Sequence, residues 1–272
     1  MKKNLKILKE LELVLASIQK ETCYRTFFLK KKNGGYRIIE APIAPLKKAQ
    51  QEILSILERT LLPHNAAMGF IKNKSPKDNA KKHIGAKVIL NMDIKDFFNS
   101  IKKPTIAKIL SSVNSWTPEE INTILELACY KNRLPQGSPC SPYLSNLVCI
   151  RMDQDLFKLA SSNNLIYTRY ADDISLSSKD INFSIGKLIS LIEGICKKYE
   201  FKINKAKTRI ARPGRNMSVT GICINTGQLT ISRRYRRLIR SILHHHENGI
   251  KRKTRHSPEQ VQGMQAWVDF VM

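Results

Sequence analysis

No apolar run in the 272-residue chain reaches the ~18 residues that a membrane-spanning helix needs. The opening segment, MKKNLKILKELELVLASIQKE, carries charge through its apolar positions, so it reads as an amphipathic helix and not as a signal peptide. None of the six cysteines (Cys23, Cys129, Cys140, Cys149, Cys196, Cys223) stands in a C-x-x-C pair. That argues against the common zinc and dithiol signatures and leaves reduced thiols in a cytoplasmic protein. Internal repeats, low-complexity tracts and Pro/Gly/Ser-rich linkers are missing too, which leaves one continuous architecture. Acid is scarce: 22 Asp and Glu face 47 Lys and Arg, for a formal charge of +25. Solubility needs far less, and such an excess points to a polyanion whose counterions the basic side chains displace. An anionic membrane surface is the weaker alternative, because the charge is spread along folded-looking segments instead of gathered in one anchor. His244, His245 and His246 are consecutive and would point in different directions around a helix, so they make no metal site.

What is present is a 42% hydrophobic chain with enough apolar material for a proper core. RTFFLKKKNGGYRIIEAP alternates around Asn33-Gly34-Gly35, a hairpin signal. LKKAQQEILSILERTLL (46–62) has helical spacing between Pro45 and Pro63. AKVILNMDI (86–94) suits a buried strand, PEEINTILELACY a helix, and LPQGSPCSPYLSN a turn leading into a helix through about Leu159. NLIYTRYADDISLSS reads as a hairpin and IGKLISLIEGICKKYEF as a helix. Strand-like alternation resumes at Phe201, and SVTGICINTGQLTIS predicts a hairpin closed near Thr226-Gly227. Strands interleaved with helices give an α+β fold with helices on one face of a sheet.

Two adjacent aspartates, Asp172 and Asp173, fall where the YADD hairpin turns, and like charges at that range need a cation. Asp93 ends a predicted strand about 80 residues earlier. If the strand and the hairpin share a sheet, three carboxylates converge and could hold two Mg²⁺ ions roughly 3.5–4 Å apart, the arrangement of two-metal phosphoryl transfer. Mg²⁺ takes hard oxygen ligands and keeps substrate phosphates among them. On its own, an Asp-Asp pair is also an ordinary solvated turn.

The order DIKDFF, LPQGSPCSPYLSN, YADD resembles the reverse transcriptase family, from about Leu29 to the C-terminus. The resemblance implies a right-hand polymerase with an antiparallel palm sheet carrying the catalytic aspartates. It divides the chain into an N-terminal helix and fingers (1–85), a palm with interleaved fingers helices (86–231) and a thumb (232–272), apparently short or truncated. It also implies that Asp93, Asp172 and Asp173, with the backbone of Ile94, bind two Mg²⁺. Phe98 matches an aromatic steric gate that selects dNTPs by clashing with a 2′-hydroxyl, while Phe97 reads as core. Gln136 and Gly137 match the turn that meets the incoming nucleotide. Arg37, with one or more of Lys30, Lys31 and Lys32, matches the cations that hold a triphosphate.

Asn79-Ala80-x-x-His83 and Val219-Thr220-Gly221 resemble the N-A-x-x-H and V-T-G motifs of retron reverse transcriptases. A retron enzyme copies part of its own structured non-coding RNA from an RNA 2′-hydroxyl into a branched RNA–DNA hybrid, in anti-phage systems with a separate effector protein. Asn79, His83, Val219, Thr220 and Gly221 would then bind that RNA. The helical spacing of Tyr235, Leu238, Ile239, Ile242 and Leu243 turns one stripe inward and leaves Arg233, Arg236, Arg237 and Arg240 for phosphates. A group II intron-type or other bacterial reverse transcriptase and a non-catalytic RNA-binding scaffold remain as alternatives.

Overall fold

The computed structural model describes residues 11, 13–14, 16–17, 22–31, 34–112, 116–247 and 256–272. Most of the expected N-terminal helix, with Lys32, Asn33 and the His246 side chain, lies outside the described residues.

Aromatic and β-branched residues form β1 (Tyr24–Lys30) and β2 (Tyr36–Pro42), an antiparallel hairpin that pairs Leu29 with Arg37. Helix α1 (Ala44–Thr60) follows, its proline in the first turn where no N–H is needed, and buries Leu46, Ala49, Ile53, Ile56 and Leu57 on one side. Short α2 (Pro76–Lys81) opens with a capping box in which Ser75 and Asp78 satisfy each other's backbone N–H groups. Then come β3 (Val88–Asp93), α3 (Phe97–Ser100), α4 (Lys103–Ser111) and α5 (Pro118–Ala128), the last with its own capping box between Thr117 and Glu120.

The predicted single helix through Leu159 is two, α6 (Ser141–Val148) and α7 (Ile150–Ser162). They meet at buried Cys149, whose N–H reaches the Ser145 carbonyl while its own carbonyl accepts from Asp153. Hydrogen bonding therefore continues through the bend. Strands β4 (Ile166–Tyr170) and β5 (Asp173–Ser178) form the expected hairpin, and α8 (Gly186–Lys198) packs behind it.

Two expectations need correction. The alternation from Phe201 gives only a short strand, β6 (Arg209–Ala211), after a 3₁₀ turn at Lys205–Lys207. Chain 202–204 instead touches the end of β3, where Asn204 donates to the Asp93 carbonyl and Lys95 to that of Lys202. The last hairpin, β7 (Ser218–Val219) with β8 (Ile222–Cys223), turns at Thr220-Gly221, both at positive φ, and not at Thr226-Gly227. The later turn closes only a bridge from Cys223 to Thr230. Helices α9 (Arg233–Glu247) and α10 (Pro258–Val271) complete the described chain.

The central sheet runs β4-β5-β3-β6, antiparallel throughout. Successive side chains of β3 point to opposite faces. Val88, Leu90 and Met92 enter the large helical core, whereas Ile89 joins a second core with Ala80, Val219, Ile222, Ile231 and Val271. Asn91 and Asp93 share the Ile89 face, and Asn91 donates to the Ser218 carbonyl at 2.9 Å. The acid is thus carried on the face that the helical core leaves open.

Candidate active site

Strand register sets Asp93 directly opposite Asp173, and Asp172 sits in the adjoining turn. The Ile94 N–H donates to the Asp172 carbonyl at 2.9 Å, tying the turn to the end of β3. Two acids from one hairpin and one from its neighbour therefore share one sheet end. The surrounding protein, more than the nearby Asp172 and Asp93, pushes the Asp173 carboxyl up to about 6. Asp172 is also raised, first by burial and then by Asp93, with Lys207 and Arg37 opposing. Burial raises both carboxyls first, and the charge of neighbouring acids adds to it.

Lys207 is a cation at the site that the sequence reading did not single out. Its Nζ donates to Asp93 at 2.8 Å, and that bond holds the ammonium above the usual lysine range. The residue lies in the basic run KINKAKTR, where no periodicity sets it apart. Only the 3₁₀ turn swings it to the acids.

A buried network fixes the turn from beneath. Arg169 and Asp153 are wholly buried and joined by two hydrogen bonds, of 2.7 and 2.8 Å, and the Tyr167 hydroxyl donates to the same carboxylate at 2.6 Å. Arg169 also donates to Asn146 and to the Ala171 carbonyl, both at 3.0 Å, and Ala171 is held at φ 57°. Sequence reasoning missed this network because its members come from β4, α6 and α7. A strand arginine beside YADD was its one visible sign.

The other predicted residues divide by position. Phe98, five residues after Asp93, is half-buried, while Phe97 is buried and stacks on Phe201 at 5.7 Å. The Gln136 carbonyl accepts from the Glu40 N–H at 2.7 Å, and a Cβ on Gly137 would stand 2.7 Å from the Glu40 carbonyl oxygen. Gly137 thus lets the turn press on β2, an approach reinforced by a bidentate Arg133–Glu40 pair. Arg37, Lys30 and Lys31 are exposed at the β1–β2 tip, and the charge of Arg37 is felt at Asp172.

Asn79 and the Val219–Gly221 hairpin meet, since Ala80 and Val219 share a core and the Thr220 hydroxyl donates to the Pro76 carbonyl at 3.2 Å. His83 is completely buried, its ring nitrogens 2.7 Å from the Ser177 hydroxyl and 2.8 Å from that of Thr168. Burial lowers it to about 4, so it is a neutral tie across β4 and β5. Asn79 and Val219 are closed to solvent as well, which leaves Thr220 and Gly221 as the reachable part of this set. On α9, Arg233, Arg237 and Arg240 are exposed, whereas Arg236 is half-buried near Cys223; Leu238, expected inward, is 45% exposed.

The donor set suits magnesium: three carboxylates and a backbone carbonyl are hard oxygen ligands. Among the described residues no three His, Cys, Asp or Glu side chains gather into a metal-holding group by themselves. A metal pair that shares its ligands with a triphosphate needs no closed protein shell.

The chain matches the family described as Reverse transcriptase (RNA-dependent DNA polymerase) over residues 29–249. The chain belongs to the reverse transcriptase family. Within the family it is similar to several retron enzymes. It is 33% identical to the retron Ec86 reverse transcriptase of Escherichia coli over 251 residues, covering 92% of this chain and 76% of that protein. It is 30% identical to the retron Mx162 reverse transcriptase of Myxococcus xanthus over 278 residues, covering 91% and 57%. The chain thus spans about three-quarters of the first of these relatives and little more than half of the second. Its fold is that of telomerase structures from Candida albicans (TM-score 0.55, 15% identity, 78% of this chain and 45% of that one) and Candida tropicalis (0.54, 11%, 79% and 56%). The four-stranded antiparallel sheet is accordingly the palm sheet of a polymerase fold.

Proposed function

We propose that this reverse transcriptase copies part of its own structured non-coding RNA, priming from an RNA 2′-hydroxyl to give DNA branched from RNA. The polymerase reading is carried by the register that sets Asp93 against Asp173 with Asp172 in the next turn. Asp93, Asp172, Asp173 and the Ile94 backbone would hold two Mg²⁺ ions. Such a pair activates an attacking hydroxyl and offsets charge on the leaving pyrophosphate. Lys207 keeps one oxygen of Asp93 neutralised and brings a proton-bearing cation to the site. Arg37 and its neighbouring lysines face the polyanionic tail of a dNTP, and Gln136 offers its side chain to the nucleotide while its carbonyl is engaged by Glu40. Phe98 would be the ring that blocks a 2′-hydroxyl.

The division into fingers (1–85), palm (86–231) and thumb (232–272) belongs to this proposal. So do a cytoplasmic setting, supported by six cysteines that form no disulfide, and anti-phage defence with a separate effector protein, which rests on the retron likeness alone. RNA phosphates would run along Arg233, Arg237 and Arg240.

Asp172→Asn and Asp173→Asn should each abolish Mg²⁺-dependent synthesis on an RNA template while leaving RNA binding in a gel-shift assay nearly intact, because binding rests on many cations. Synthesis retained in both variants would sink the assignment. Self-priming is tested at the exposed hairpin tip. Gly221→Asp places an anion there at a positive φ that aspartate bears better than most side chains, so synthesis on the cognate RNA should fall well below extension of an annealed DNA primer. Equal losses in the two assays would remove the RNA-positioning role.

A further inference from the structure

Three aromatic rings neighbour one another in turn, the first of them, Phe97, four residues after Asp93. Phe97 is anchored in the core; Phe98 lies 5.4 Å from it and 6.1 Å from Phe70, which arrives from a distant part of the chain. Phe70 is 41% exposed and sits at φ 60°, a left-handed conformation that a bulky aromatic residue pays heavily to adopt. Burial of the ring does not compensate, because so much of it faces solvent.

What holds it is backbone bonding to the same hairpin that carries the aspartates. The Arg169 N–H donates to the Ala66 carbonyl at 2.8 Å, and the Arg169 carbonyl accepts from the Met68 N–H at 2.7 Å. The Gly69 carbonyl takes a 2.8 Å bond from the Asn146 amide. Gly69 lies so close to the YADD turn that a Cβ there would stand 2.7 Å from the Ala171 nitrogen. Strain kept in place by surrounding bonds at a functional site marks a position that is used.

We infer that Phe70 is a further specificity-determining residue, which together with Phe98 walls the pocket for the incoming sugar. This rests on the reading of Phe98 as the gate against a 2′-hydroxyl. A steric gate rejects a hydroxyl only while its ring cannot yield. Phe97 and Phe70 both pack against Phe98 and limit its movement. Without Phe70, Phe98 gains room to swing aside and a ribonucleotide fits.

The test is single-nucleotide incorporation by the full chain on an annealed DNA primer and RNA template, comparing kcat/KM for a dNTP and the matching rNTP. Phe70→Ala should reduce the dNTP preference about tenfold or more, through a rise in the ribonucleotide value. Phe70→Gly, which removes the ring and suits the positive φ, should show the same loss, so misfolding does not account for it. Phe70→Tyr should keep the preference. In a Phe98→Ala background, removing Phe70 should add little, since the two rings act as one unit. Preference lost in Phe98→Ala but kept in Phe70→Ala and Phe70→Gly overturns this inference and leaves the gate standing. Preference kept in Phe98→Ala overturns the gate reading, and this inference falls with it.

Discussion

His83 illustrates how one side chain can serve the architecture where its motif suggested contact with RNA. Held neutral between Ser177 and Thr168, it titrates near 4 when folded and near 6.5 when unfolded. Between those values the unfolded chain binds the extra proton, so stability is full above about pH 6.5 and drains away as pH falls toward 4, by up to about 3 kcal/mol. Urea unfolding across that range should show the loss, and His83→Gln should flatten it; an unchanged slope in the variant would place the titration elsewhere. Lys207 makes the opposite case, an exposed residue whose ammonium reaches Asp93. Lys207→Met should cut the rate of nucleotide addition tenfold or more, with little change in RNA affinity, because it withdraws one preorganised cation from the reacting charges. Pre-steady-state incorporation measures this directly, and a wild-type rate would confine Lys207 to pairing with Asp93.

The elements readable from sequence were those whose local pattern and final environment agree. The strand at β3, the YADD hairpin and α1 follow from alternation or helical spacing, and the convergence of Asp93, Asp172 and Asp173 followed from placing two of these in one sheet. The rest depended on partners distant in sequence. The run after Phe201 alternates like a strand, yet docking of 202–204 on β3 bends it into a 3₁₀ turn, and this bend delivers Lys207. The bend at Cys149 and the loop 66–70 are likewise set by packing that no window of the sequence displays. Beneath the turn, the Arg169–Asp153 pair is the element on which most depends. Asp153→Leu leaves a buried guanidinium without its counter-charge and should destabilise the chain by about 3–5 kcal/mol, visible as a large drop in Tm. A drop below about 1 kcal/mol would show that Arg169 finds other partners.

Forty-seven basic residues against twenty-two acidic ones predict that the whole molecule binds polyanions in a salt-sensitive way. Its affinity for an RNA–DNA duplex should fall linearly on a log–log plot against salt, and Arg237→Gln with Arg240→Gln should make that slope shallower by roughly 1 for each phosphate left without its arginine. Fluorescence anisotropy at several salt concentrations gives the slope; an unaltered value would take α9 off the nucleic-acid path. The two-faced strand β3 bears on how such a basic chain behaves before it is folded. Because Met92 belongs to the core and Asp93 to the acids, sliding β3 by one residue against β5 would bury the carboxylate and expose the thioether. A misregistered chain can still cling to RNA through its lysines and arginines, yet it cannot copy it. Competence to polymerise is thereby certified by the folding of a single six-residue strand.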